Sequence, residues 1–329
     1  MPGPIYSFGD YLKQRFTEKV HKVTVNADFT CPNIDGTRGR GGCIYCNNVS
    51  FNPNSRRKEP DIAAQIEAGR KIVRKRTGAT KVLAYFQAYS NTYAPVENLR
   101  FLYEQALQCP DVVGLVIGTR PDCVSEEVLE LLVTYQQRGY EIWLEYGLQS
   151  AHDKTLQRIN RGHSFAEYHD TVIATRERGL SVCTHLILGL PGEDRAMMLE
   201  TLARVRETGT DGIKLHPLHV VRRTMLAHEW RKGNIQLLSQ SEYVSLACDM
   251  LERMPASWAV HRLTGTASED VLLAPEWCVR KWVVINAIYA EMHRRGCRQG
   301  SALQEAGHVA IAHDPGRCPE MAVAGKRYY

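Results

Sequence analysis

The sequence has no apolar run long enough to cross a membrane. No stretch approaches the roughly 18 uncharged apolar residues that a transmembrane helix requires. Residues 1–6 also lack the basic segment and the apolar segment of a secretory signal. The excess of positive charge is small, because 41 basic residues face 36 acidic ones, for a formal net charge of +5. We therefore predict a cytoplasmic protein with no membrane partner, for which an anionic partner is permitted but not required.

Most of the ten cysteines lack the spacing of a disulfide framework or of a metal site. In a large chain without a secretory signal we expect reduced thiols, most of them buried as small apolar groups. A second metal cluster drawn from Cys278, Cys297 and Cys318 has no spacing pattern in its favour. The scattered cysteines are Cys109, Cys123, Cys183, Cys248, Cys278, Cys297 and Cys318.

The other three cysteines, Cys31, Cys43 and Cys46, lie in one glycine-rich stretch. Three thiolates can hold three irons of a [4Fe–4S] cluster and leave the fourth iron open to a small molecule. A structural zinc site is the alternative, but it normally closes with a fourth ligand. Eleven residues separate Cys31 from Cys43, and the glycines among them let the backbone wrap closely around a cofactor.

Strands and helices alternate through the first two thirds of the chain, to about residue 220. Short loops between the repeats indicate a parallel sheet with helices outside, and six repeats are too few to close an eight-stranded barrel. We therefore predict an α/β fold with a partial (β/α)6 barrel in residues 1–220. Residues 221–329 would form a helical and irregular extension that caps the barrel, with a poorly ordered tail over the last fifteen residues. The predicted strands are residues 23–26, 81–86, 112–117, 141–147, 180–188 and 212–218.

Five further motifs stand where the predicted strands end, and ligands bind at such ends in folds of this class. They are residues 85–93 (YFQAYSNTY), 118–122 (GTRPD), 145–150 (EYGLQS), 189–193 (GLPGE) and 214–220 (KLHPLHV). With the cysteine stretch, they make the chain resemble the radical S-adenosylmethionine (SAM) enzymes, and among these a bacterial branch related to the Elongator catalytic subunit and the methylthiotransferases. The resemblance runs from residue 6 to about residue 282. The superfamily usually spaces its cysteines C-x3-C-x2-C, and the longer first interval here is a trait of this branch.

The resemblance implies both the cofactors and the reaction. A [4Fe–4S] cluster on the three cysteines binds SAM, and an electron cleaves the sulfonium bond to give methionine and a 5′-deoxyadenosyl radical. The radical then removes a hydrogen atom from the substrate. The electron donor would be a protein such as flavodoxin or ferredoxin. Kinship with Elongator-type enzymes implies tRNA as the substrate, modified at the wobble uridine.

The resemblance also implies which residues contact SAM. Gln149 and Arg161 resemble the pair that binds the ribose and the methionine carboxylate, and Arg161 is suited to a bidentate contact. The alternative for Arg161 is a surface position at a helix end. Ser150 is a further candidate contact, or instead a helix cap.

Three more residues complete the predicted cofactor site. The resemblance implies that Tyr45 supports the adenine. Ser90 or Asn91 takes the methionine amine, because residues 87–90 replace a glycine-rich, acidic tip. His185 stands where relatives carry an acid, so it is a polar contact or a histidine satisfied within the barrel.

Further polar residues lie at the ends of the predicted strands. On a regular strand His216 and His219 would face opposite sides, so that one of them could line the site. Packing under the C-terminal cap is the alternative. Glu145 and Glu193 are candidates too, although Glu193 would equally suit the start of the following helix.

Basic clusters favour either a solvated helix face or a phosphate-binding surface for RNA. Two rival functions remain beside tRNA modification: radical chemistry on a small molecule, and a non-catalytic interaction protein that binds an iron–sulfur cluster or zinc. The clusters are residues 56–58, 70–76, 222–223, 231–232 and 293–295.

Overall fold

The structure, a computed structural model, describes residues 3–47 and 61–305. Its strands are β1 Val20–Val25, β2 Lys81–Phe86, β3 Val112–Thr119, β4 Glu141–Gln149, β5 Ser181–Leu188, β6 Gly212–Pro217, β7 Val220–Val221, β8 Ala259–Arg262 and β9 Leu272–Ala274. Seven of them form one sheet in the order β1-β2-β3-β4-β5-β6-β8, and every neighbouring pair is parallel. The sheet curls into a half-barrel, which confirms the predicted α/β partial barrel.

The seventh strand comes from the part of the chain that was expected to be irregular. Strand β8 pairs with β6, and its last two residues are His261 and Arg262. Four residues are too few to show the alternation by which a strand is recognised in a sequence. The division into residues 1–220 and 221–329 stays a prediction.

Helices cover the outside of the sheet, and several begin at a side chain that caps the first turn. Ser125 accepts a hydrogen bond from the Val128 amide, and Ser164 forms a capping box with Glu167. The helices are α1 Phe8–Arg15, α2 Pro32–Asp35, α3 Ile62–Thr77, α4 Val96–Leu107, α5 Glu126–Gln137, α6 Asp153–Arg158, α7 Phe165–Glu177, α8 Arg195–Glu207, α9 Met225–Arg231, α10 Gln240–Glu252, α11 Lys281–Arg295 and α12 Ser301–Glu305.

Helix α1 fills the end of the half-barrel at which the strands begin. Phe8 and Leu12 are buried in one apolar cluster with Leu83 and Trp143. The Phe8 ring meets Trp143 edge to face, with centroids 5.3 Å apart. Burying side chains of this size stabilises the fold by about 1.5–3 kcal/mol each. The opposite end, where the strands finish, is left for a ligand.

The two ends of the described chain are joined beside α1. Gln299 donates its backbone N–H to the Pro4 carbonyl and accepts from the Tyr6 N–H with its side chain, both at 2.9 Å. The Val260 N–H donates to the Tyr6 carbonyl at 2.9 Å, so Tyr6 and Ser7 also lie along β8. The Gln299 amide group donates twice more, to the carbonyls of Pro255 and Trp258.

Within residues 3–47 and 61–305, none of the helices combines the length and the apolar character that a bilayer crossing requires.

Candidate cofactor site in the half-barrel

A cavity opens at the ends of the strands and encloses about 1200 Å³ together with its mouth. Gln87, Thr119, Gln149 and Pro217, at or just beyond the ends of four strands, line it. The glycine-rich loop supplies Cys31, Cys43 and Cys46 to the same wall. The cavity therefore lies where a parallel α/β sheet binds its ligands.

The loop is held in place by Asn33, whose side-chain amide is buried. Its Nδ2 donates to the carbonyls of Asn160 and Arg161, at 2.5 and 3.0 Å, and lies 3.6 Å from the Cys43 thiol. Gly162 has a φ of +76°, and a Cβ there would lie 2.2 Å from Asn33 Oδ1. Only glycine therefore fits at position 162. The hydrogen bonds of Asn33 join the cysteine loop to residues 160–162.

Arg161 is buried and reaches the cysteine loop. Its guanidinium donates to the Gly147 carbonyl through Nε and Nη2, at 3.1 and 2.5 Å, and its Nη1 lies 3.6 Å from Cys43 Sγ. Arg120 forms a two-pronged ion pair with Asp122 and donates to the Arg161 carbonyl at 2.7 Å. Arg161 is thus anchored from both sides, and the alternative of a surface arginine is excluded.

The donors fit an iron–sulfur cluster better than a single zinc ion. Two thiolates on one zinc, each about 2.3 Å from the metal, are at most about 4.6 Å apart. Among the described residues, the group of three ligand atoms lying within 4.8 Å of one another is that of Glu145, Cys183 and His261, and the loop cysteines form no such group. Burial and the neighbouring Cys43 raise the pKa of the Cys46 thiol to about 12, while Arg161 opposes this rise. The Arg161 guanidinium favours the thiolate form of its neighbours, which is the form that binds iron.

The structure brings most of the predicted SAM contacts to the cavity. Tyr45, Ser90, Gln149 and His185 line it, together with Arg161. Ser90 Oγ is fully buried and makes no hydrogen bond within the described residues, although the Cys123 thiol lies nearby. A buried hydroxyl of this kind is suited to a ligand group.

Gln149 and Arg161 converge over one glycine. A Cβ on Gly147 would lie 2.6 Å from Gln149 Nε2 and 2.7 Å from Arg161 Nη2. The two side chains therefore occupy the space that a side chain at position 147 would need. Their roles toward SAM stay predictions.

The structure does not bring Ser150 into the cavity wall. Its hydroxyl donates to Glu193 and accepts from the His152 amide at 3.0 Å. Glu193 likewise faces Ser150 rather than the cavity, and Asp194, not Glu193, caps α8. The two residues support the loops after β4 and β5.

A buried charge cluster surrounds Glu145, deeper in the half-barrel. Lys22 donates to one carboxylate oxygen at 2.7 Å, and Lys214 contacts the other. His261 lies 3.0 Å from Oε1 and His185 lies 3.2 Å from Oε2. Lys214 also donates to the Tyr85 hydroxyl at 2.9 Å. Sequence reasoning singled out Glu145 and His185 but missed Lys22 and Lys214. The one available signal was the presence of Lys214 within an apolar strand.

Electrostatics within this cluster keep the carboxylate charged and the imidazoles neutral. Burial alone would raise the pKa of Glu145, but Lys214, Lys22 and the two histidines hold it well below its usual range. Burial, with Lys214 close by, lowers the pKa of His185 to about 4. Burial also lowers the pKa of Lys214 to about 7, against the pull of Glu145. His185 is therefore an uncharged part of the barrel interior that also faces the cavity.

Glu145, Cys183 and His261 are spaced for a metal ion, but ammonium groups already contact this carboxylate. A cation there would have to displace Lys22 and Lys214.

His216 and His219 both line the cavity, whereas on a regular strand they would face opposite sides. The strand does not continue through both residues, because β6 ends at Pro217. His219 Nδ1 lies 3.2 Å from the Pro217 carbonyl, which fixes its ring.

The basic clusters differ in what they contact. Arg295 pairs with Asp249, Glu252 and Glu291, and Arg294 also pairs with Glu291, so that end of α11 is neutralised. Arg222 and Arg223 are exposed beside the cysteine loop. Residues 56–58, Cys318 and the predicted tail lie outside the described residues.

A curled parallel sheet with a three-cysteine loop at its open end defines an α/β half-barrel enzyme. The chain belongs to the radical SAM superfamily, whose family model matches residues 34–205. The model of the Radical_SAM C-terminal domain matches residues 210–294. The cofactors of this family are a [4Fe–4S] cluster and SAM, and they are the cofactors of this enzyme.

Similar proteins span nearly the whole chain. Protein YhcC of Escherichia coli K12 is 48% identical over 296 residues, which are 90% of this chain and 94% of YhcC. YtqA of Bacillus subtilis is 40% identical over 294 residues, 89% of this chain and 91% of YtqA. Among solved structures, the Elp3 of Methanocaldococcus infernus shares the fold with a TM-score of 0.64 at 20% identity. The match covers 85% of this chain and 64% of that one.

Proposed function

We propose that this enzyme holds its [4Fe–4S] cluster on Cys31, Cys43 and Cys46, cleaves SAM reductively and modifies tRNA at the wobble uridine. One observation carries the cofactor part: three thiols from a single loop line the same cavity as Arg161 and Gln149. The tRNA part rests on the resemblance to the Elongator catalytic subunit and on the surface around the cavity mouth.

When bound, the cluster and SAM supply the radical that removes a hydrogen atom from the substrate. The residues of the chain hold and orient these groups. Arg161 offsets the charge of the Cys43 thiolate and presents its guanidinium to the methionine carboxylate. Gln149 binds the ribose, Ser90 offers its unused hydroxyl to the methionine amine, and Tyr45 covers the adenine.

The mouth of the cavity suits a single-stranded nucleic acid. Tyr89 and Ile34 line the cavity and are 39% and 45% exposed, so an aromatic face is available to stack on a base. Arg222 and Arg223 are exposed. They lie next to the cysteine loop, since the Asn47 side chain donates to the Arg222 carbonyl at 2.9 Å. Phosphates of the RNA backbone would meet these arginines.

Replacing Arg161 with methionine should weaken SAM binding by roughly tenfold or more, because a charge-assisted contact to a carboxylate is lost. It should also make the cluster harder to reduce, since a positive charge next to Cys43 is removed. The measurements are SAM affinity and the cluster midpoint potential. Arg158→Met, on the neighbouring helix α6, is the matched control. An R161M protein with unchanged SAM affinity would remove Arg161 from the cofactor site.

Bulk tRNA should raise the yield of 5′-deoxyadenosine from the anaerobically reconstituted, dithionite-reduced enzyme. The double variant R222Q/R223Q should lose most of this stimulation, and the salt slope of tRNA binding should fall by about 1 for each phosphate contact removed. R74Q/R76Q, on the exposed face of α3, is the matched control. The measurements are 5′-deoxyadenosine yield and tRNA affinity against salt concentration.

The other two outcomes of this 5′-deoxyadenosine assay would each favour one of the two rival functions. Cleavage that ignores tRNA would leave the radical chemistry and direct the search to a small molecule. No cleavage, from a cluster of verified redox activity, would favour a non-catalytic binding protein.

A further inference from the structure

Arg262 occupies a place in the cavity wall that the cofactor site does not explain. It is the last residue of β8, lines the cavity and is partly buried. Its Nη1 donates to His216 Nε2 at 3.5 Å. Within the described residues no carboxylate lies at ion-pair distance from its guanidinium.

The charges around Arg262 do not balance. Glu145 is the only carboxylate among the described residues that line the cavity, and Lys22 and Lys214 already contact it. The Lys22 charge alone offsets that of Glu145, so the residues of 3–47 and 61–305 that line the cavity leave Arg262 without a counter-charge whether or not Lys214 is protonated. Lys281 adds a further positive charge to its surroundings. Keeping a charge partly buried without a partner is costly, unless a ligand supplies that partner.

His216 is fixed in position to assist Arg262. A Cβ on Gly265 would lie 2.4 Å from His216 Nδ1, so the ring packs directly against the backbone there. Because Nε2 accepts from Arg262, the hydrogen of the neutral imidazole lies on Nδ1. The ring therefore holds the guanidinium at the cavity wall without cancelling its charge.

We propose that Arg262, positioned by His216, is an anion subsite that binds a phosphate or carboxylate group of the substrate. The inference rests on the proposed function, because it treats this cavity as the place where substrate meets the cofactor. Arg161 and Arg120 are excluded as alternatives, since the first contacts Cys43 and the second is paired with Asp122. Of the three arginines that the described part of the chain places in the wall, Arg262 is the one left for a substrate.

The test is anion binding by the full-length, cluster-loaded enzyme, saturated with SAM and without reductant. Inorganic phosphate and succinate are compared at constant ionic strength by the rise in thermal midpoint. We expect R262Q to lose at least about tenfold in anion affinity, since a charge-assisted contact is removed. R262K should keep part of it, and R231Q, an exposed arginine on α9, should behave as the unmodified enzyme.

The change in thermal midpoint on replacing Arg262 has opposite signs for a binding role and a structural role. In buffer without either anion, R262Q should be at least as stable as the unmodified enzyme, because an uncompensated charge is gone. A purely structural arginine would give a lower midpoint in R262Q under the same conditions, and that result would overturn the proposal.

The two anions distinguish the sources of the bound group. A preference for phosphate supports a phosphorylated substrate such as a nucleic acid, and a preference for succinate supports a carboxylate-bearing small molecule. Equal anion affinity in R262Q and R231Q would refute the subsite. So would a loss of SAM affinity in R262Q with anion binding unchanged, since Arg262 would then belong to the cofactor. None of these readouts needs turnover or RNA, so failure of the tRNA proposal would appear separately.

Discussion

The Cys43→Ala variant should lose the [4Fe–4S] absorbance and the reductive cleavage of SAM together. Cys43 is the buried member of the three thiols, and both Asn33 and Arg161 direct N–H groups at it. With two thiolates left, a cluster would lack a third protein ligand. The measurements are iron and sulfide content after anaerobic reconstitution, the visible absorbance, and the 5′-deoxyadenosine formed after addition of dithionite and SAM.

A cysteine outside the cavity provides the control. Cys109, at the end of α4, donates to the Gln105 carbonyl and does not line the cavity. C109A should keep both the cluster and the cleavage. If C43A still bound four irons per chain, the assignment of Cys43 as a ligand would be wrong.

The Glu145→Gln variant should lower the free energy of unfolding by about 3–5 kcal/mol at neutral pH. The substitution leaves the Lys22 ammonium group without its buried counter-charge and removes the charge that holds a proton on Lys214, while the shape of the side chain is kept. Denaturant unfolding of the metal-free protein measures the change. The metal-free protein is used so that cluster loss does not contribute to the result.

The pH dependence of this difference follows from the pKa of Glu145. The folded chain holds that pKa well below the ordinary value of 4.5, so the carboxylate contributes its full stabilisation above about pH 4.5. The contribution is lost as the pH falls through the lower pKa of the folded state. The difference in unfolding free energy between E145Q and the unmodified protein should therefore be large at pH 7 and should disappear in acid.

Two further variants separate charge from packing. E145Q/K214M also removes the buried amine that has lost its partner, and it should recover part of the lost stability. E67Q, which breaks the ion pairs of Glu67 with Arg70 and Lys71 on α3, should cost less than about 1 kcal/mol. An E145Q protein within 1 kcal/mol of the unmodified chain would show that the cluster is not held by this carboxylate.

The features predicted well from the sequence are those whose signal is local. The three cysteines lie within sixteen residues, and the strands of the half-barrel are short apolar runs bounded by turns. Strand β2 begins and ends where the sequence predicted, at residues 81 and 86, because its apolar run falls within one short segment. The position of the cavity at the strand ends was predicted from the alternation of strands and helices alone.

The features that were missed depend on residues far apart in the chain. Glu145 meets Lys22, Lys214 and His261 only after the sheet has curled, and none of these side chains has a local pattern that indicates its partners. Ser150, which follows Gln149, was a candidate cofactor contact or a helix cap, yet the turn after β4 directs its hydroxyl to Glu193. Adjacency in sequence does not fix which way a loop residue points.

The junction of the chain ends beside helix α1 sets an order for folding during synthesis. Tyr6 and Gln299 are separated by 293 positions, so their hydrogen bond forms only when almost all of the described chain has left the ribosome. Until then the strand edge that pairs with Tyr6 and Ser7 does not exist, because β8 is also made late. Contacts of such long sequence separation form slowly. The cysteine loop follows β1 and is made early, whereas we expect the end of the half-barrel opposite the cofactor site to close late, after Gln299 has been made.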